Sequence, residues 1–115
     1  MLNEKQKVIQ EKLEDIYRAV KFKEIEDVSV QVTGKTLSRH KFLKNLVAYT
    51  MGYCHQLIEH YQLTSSEDFN VSFVLESLSN EETESLSEVE YLLAWAISKL
   101  AFAFELDPNK LKEVE

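Results

Sequence analysis

Two clusters of ionisable side chains stand out in this chain. Lys35, Arg39, His40, Lys41 and Lys44 crowd the start of one predicted helix, and Glu81, Glu82, Glu84, Glu88 and Glu90 surround the start of another. Cations at a helix N-terminus oppose its dipole, at a cost of roughly a few tenths of a kcal/mol each. That placement calls for compensation. One form is an anion, a phosphate or a partner's carboxylate, held jointly by the helix amides and the basic side chains. A second is pairing with the acidic loop at 81–84 of the same chain, and a third is a solvated face with mutual compensation. The acids suit the opposite partner: a surface from 67 through 90 can occupy a basic groove on another protein.

The whole chain is divided in the same way. Residues 1–44 carry ten of the thirteen Lys and Arg against seven of the twenty acids, a net +3. Residues 45–98 contain no Lys or Arg, and 45–115 stand at -10. Such asymmetry creates fields that steer charged partners. Direct nucleic-acid binding is disfavoured by the overall charge of -7, because that affinity comes largely from counterion release around neutralised phosphates.

Other constellations fall short of a site. His55 and Glu59 lie one helical turn apart, but His60 is about 140° around the helix from His55 at roughly 100° per residue, so the three do not converge on a metal. Gly34-Lys35-Thr36 looks like the end of a phosphate-binding loop, yet the required first glycine falls at Ser29 and the intervening residues are strand-like. Cys54, the single cysteine, lies in an apolar helical stretch and reads as a small core residue. The acids of 76–90 followed by 104–111 prompt comparison with all-α nucleotide pyrophosphohydrolases. Those enzymes need a glutamate cluster on an earlier helix, where this chain offers Glu59. No membership is inferred, and a metal-dependent phosphohydrolase stands as the enzyme alternative. The expectation is a protein without catalytic residues, cofactor or metal.

The elements that must position these groups follow from composition and periodicity. With 115 residues there is room for one domain and one core, and two glycines and one proline are too few for the turns of an all-β fold. A single cysteine excludes an intramolecular disulfide. The N-terminus shows no apolar segment of a secretory signal, and the longest apolar run, 91–104, would rise only about 21 Å as a helix against a bilayer core of roughly 30 Å. No membrane span and a cytoplasmic location are expected.

Ile9, Leu13, Ile16 and Val20 step by four, three and four, predicting an amphipathic helix over 3–24. Residues 28–33 alternate as a short strand, broken at Gly34. Thr36 or Ser38 caps a helix over 39–61 with apolar side chains on nearly every face, expected to be central; Ala48 and Gly52, four apart, suggest the close approach of another helix or else a kink. Residues 64–80 are ambiguous: 69–75 alternates like a strand, but Thr64 with Glu67 forms a capping box that favours helix. Residues 79–87 read as an acidic loop before a last long helix capped by Ser85 with Glu88. Asp107 followed by Pro108 starts a final short turn.

The resulting fold class is mainly α, a compact bundle of about four principal helices with a short strand near 28–33. The alternative is α+β with a two-stranded sheet pairing 28–33 with 69–75. Three functions are consistent with these features: a small acidic inhibitor or immunity-type module engaging a basic protein through 76–90, a dimeric structural or adaptor domain, and the phosphohydrolase. The Lys, Glu, Ile and Asn usage fits an AT-rich bacterium or its phage.

Overall fold

The computed structural model describes residues 2–26, 30–32 and 35–112, with side chains placed at 2–21 and 38–111. Among the described residues are α1 (Glu4–Glu26), β1 (Val30–Val32), β2 (Lys35–Leu37), α2 (Arg39–His60), α3 (Ser65–Asn80), α4 (Leu86–Ala103) and α5 (Pro108–Lys112). The fold is mainly α with four principal helices. Val28, Ser29, Thr33 and Gly34 lie outside the described residues.

Helix boundaries coincide with local hydrogen-bonding residues. Asn3 Oδ1 accepts from the Gln6 amide at 2.8 Å while Gln6 Oε1 accepts from the Asn3 amide at 3.0 Å, a reciprocal cap for α1. Ser38, not Thr36, caps α2 by accepting from the Lys41 amide; Thr36 belongs to β2. The Thr64–Glu67 capping box is complete. Ser85 accepts from the Glu88 amide at 3.2 Å and donates its hydroxyl to Glu88 Oε1. Asp107 Oδ1 accepts from the Asn109 amide, with Pro108 opening α5.

α4 packs against α1, α2, α3 and α5 and is the hub of the bundle. Its Val89, Leu93, Ala96 and Leu100 are fully buried, joined by Ile9, Leu13 and Ile16 of α1, Leu43, Cys54 and Leu57 of α2, and Val71 and Val74 of α3. Burying each leucine of this set contributes roughly 1.5–3 kcal/mol before cavity effects.

The helix favoured by the Thr64–Glu67 box is present: 69–75 is helical, with Val71, Val74 and Leu78 as its buried stripe, and the alternative sheet pairing with 69–75 is replaced by an antiparallel pairing of β1 with the neighbouring β2, Gln31 opposite Thr36. Three expectations are corrected by this arrangement. α2 is amphipathic rather than central, with Leu43, Leu46, Thr50, Tyr53 and Leu57 inward and Tyr49 half-exposed. Ala48 and Gly52 are exposed, and a Cβ built on Gly52 meets nothing within 4 Å, so no helix among the described residues approaches there. The acidic connection is shorter than 79–87, since α3 continues to Asn80.

Candidate functional site

An open cleft of about 530 Å³ separates the second half of α3, the 81–85 connection and the first half of α4. Glu81, Glu82 and Glu88 supply its carboxylates, and Phe73, Tyr91 and Trp95 supply its aromatic wall. Local sequence builds both features. α3 ends with the Glu81 amide donating to the Ser77 carbonyl, and α4 restarts at Ser85, leaving the glutamates between them on an exposed connection.

The aromatic wall arises because α4 carries two apolar stripes. At roughly 100° per residue, Val89, Leu93, Ala96 and Leu100 fall on one face and Tyr91, Trp95 and Phe102 on the opposite one. The first stripe enters the core. The second faces outward: Tyr91 is 75% exposed and Phe102 67%, while Trp95 is partly buried against the edge of the core. α3 extends this surface through Phe69 and Phe73, one turn apart, with ring centroids separated by 6.4 Å. Phe73 lies 5.9 Å from Trp95 at an interplanar angle of 52°. Lys99 of α4 places its ammonium 5.8 Å from the Phe73 ring centre and 5.5 Å from that of Phe102. One end of the aromatic stripe thus already carries a cation on its rings.

The five acids singled out by sequence divide in space. Glu81, Glu82 and Glu88 line the cleft; Glu84 is exposed on the connection. Glu90 points away from them and forms an ion pair with Arg39, whose side chain is only 7% exposed. Among the described residues, Glu81, Glu82, Glu84 and Glu88 have no ion pair.

The basic cluster divides as well. Arg39 turns into the protein, and its Nη1, like Nε2 of the adjacent His40, is buried without a hydrogen-bond partner among the described residues. Lys41 and Lys44 are exposed, and Lys35 lies on β2. Lys44 shares a second cleft, of about 470 Å³, with Glu81 and Glu82 across an apolar floor that includes Val47, Met51 and Leu78. Among the described residues, positive and negative segments therefore meet within one molecule at Arg39 with Glu90, at Lys5 with Glu67 and across this second cleft.

No family model, curated protein or solved structure matches this chain.

The remaining reactive groups are placed differently. Cys54 is fully buried, and burial pushes its thiol up to about 12, which leaves little thiolate at neutral pH. Burial also pushes the Tyr53 hydroxyl up, and this oxygen has no hydrogen-bond partner among the described residues. His55, Glu59 and His60 are exposed on α2. Among the described residues, no three His, Cys, Asp or Glu side chains converge as metal ligands, and no helix is long and apolar enough to cross a membrane.

Sequence reasoning found the acids of the cleft but missed its aromatics. The signal was present as the spacing of Tyr91, Trp95 and Phe102, a second stripe within a segment that reads as apolar on most sides.

Proposed function

We propose that this protein is a small binding module of the inhibitor or immunity type, acting in the cytoplasm of a bacterium or on behalf of its phage, and engaging a basic partner protein through its acidic 76–90 region. The observation that carries this reading is the placement of Glu81, Glu82 and Glu88 around a cleft walled by Phe73, Tyr91 and Trp95. Carboxylates without an ion pair among the described residues attract a basic surface over a Debye length, about 10 Å at 0.1 M salt, and set the association rate and orientation. Aromatic rings supply desolvated contact area once the surfaces meet, the usual source of most binding energy. Glu84 adds to the field from the connection, and Glu90 holds the start of α4 against α2 through Arg39.

Affinity capture from a lysate with the wild-type chain and with a Glu81→Lys, Glu82→Lys, Glu88→Lys variant in parallel tests this. A basic protein should be retained by the wild type, leave as salt rises from about 0.1 M to about 1 M, where the Debye length falls to about 3 Å, and be absent from the variant. Retention that ignores both salt and charge reversal overturns the reading.

A further inference from the structure

We infer that the occupant of the α3–α4 cleft is a partner segment presenting an arginine next to an apolar side chain, with the guanidinium lodged between the carboxylates of Glu82 and Glu88 and the ring of Tyr91. This rests on the acidic-surface reading and names the chemistry it recognises.

The cleft offers two kinds of wall at once. Its carboxylates make it electrically complementary to a cation, and Glu81, Glu82 and Glu88 have no ion pair among the described residues. Its aromatic wall rewards a planar group: a guanidinium stacks on an aromatic face while its fork of N–H donors engages a carboxylate side-on. An ammonium is compact and strongly hydrated, so it gains less from a half-open aromatic site. Space is sufficient for more than the cation, since about 530 Å³ lies within the roughly 300–1,000 Å³ typical of ligand pockets. Beyond the carboxylates, Phe73 and Trp95 continue into the exposed Phe69, and this stretch takes the apolar neighbour. The space between Phe73 and Phe102 is already filled by the Lys99 ammonium. The incoming cation is thus directed to the Tyr91 end of the stripe, beside the carboxylates.

The test is selection of a displayed random-peptide library on the full-length protein, with counter-selection on a Glu82→Gln, Glu88→Gln, Tyr91→Ala variant. All three side chains lie on the surface, and Gln at 88 retains an oxygen to accept from Ser85, so this variant should fold; its circular dichroism and melting curve are recorded alongside. Winning peptides are then titrated against the protein by fluorescence, Trp95 being the only tryptophan and part of the cleft.

Enrichment of arginine within two positions of Leu, Ile, Phe or Met, loss of binding to the variant, and a weakening of roughly 3- to 10-fold when that arginine becomes lysine, the scale of a partly desolvated cation–π contact, would support the inference. Equal enrichment of lysine and arginine would overturn it while leaving the acidic-surface reading standing. Winners without any basic residue, or no enrichment over the variant, would overturn both. A wild-type dimer in solution that Tyr91→Ala dissolves would also overturn it, by placing a second copy in the cleft.

Discussion

Arg39, the first residue of α2, and Glu90, in the second turn of α4, form an ion pair inside the protein although 51 positions separate them in sequence. The pair joins the basic segment to the acidic one and ties two packed helices at their N-terminal ends. Glu90→Gln leaves the Arg39 charge buried with its partner gone. A loss of up to about 3 kcal/mol is expected, at the low end of the range for buried pairs because Glu90 keeps partial access to water. Urea denaturation of the variant measures it. Arg39→Met with Glu90→Leu, which removes both charges, should recover most of the loss.

Gly52 sits in the interior of α2, exposed, with open space where a Cβ would stand. Gly52→Ala should therefore raise stability by about 1 kcal/mol, the difference in helix propensity. An unchanged or lowered denaturation midpoint would contradict the open placement of this position.

The end of α4 poses the opposite problem. Glu105 adopts φ 57, the left-handed region, between the bonds from Glu105 N–H to the Phe102 carbonyl (3.1 Å) and from Leu106 N–H to the Ala101 carbonyl (2.8 Å). This is the geometry in which helices usually place glycine. Glu105→Gly should stabilise the protein by up to about 1 kcal/mol, since a left-handed conformation costs a residue with a Cβ roughly 1–2 kcal/mol and glycine returns part of that through its freer unfolded state. Thermal melting provides the comparison.

Glu67 introduces a pH dependence. Burial works to raise its carboxyl, but the Thr64 backbone N–H and the Lys5 ammonium at 2.9 Å outweigh it and hold the group below its ordinary range. A folded-state pKa below the unfolded one means that the contribution is complete above the unfolded value, about 4.3, and disappears as pH falls through the folded value. The wild type should melt above Glu67→Gln at neutral pH, with the gap closing as the pH drops below about 4.3. A gap independent of pH would assign the effect to packing.

Legibility in the sequence followed the range of the interactions. Thr64 with Glu67, Ser85 with Glu88, and Asp107 with Pro108 were readable because each acts within one helical turn. The helical character of 69–75 stayed ambiguous because Phe69 and Phe73 match a strand's alternation; they face outward, and the deciding stripe is Val71, Val74 and Leu78. The acids at 81, 82 and 88 were visible as charge, but their grouping with Phe73, from another helix, was not.

By itself, the sequence determined the mainly helical class, most of the helix starts and the division of charge, all of which depend on nearest neighbours along the chain and on composition. Only the tertiary structure decided that α4 is the hub, that Arg39 turns inward to Glu90, and that Tyr91 and Phe102 remain outside with Trp95 partly buried between. The physical reason is that a helix bearing two apolar stripes can bury either. Which one enters the core depends on how well the facing helices fill the space against it, and Val71, Val74, Leu43 and Leu57 close around Val89, Leu93 and Leu100 as one packed cluster, leaving the larger rings to the surface.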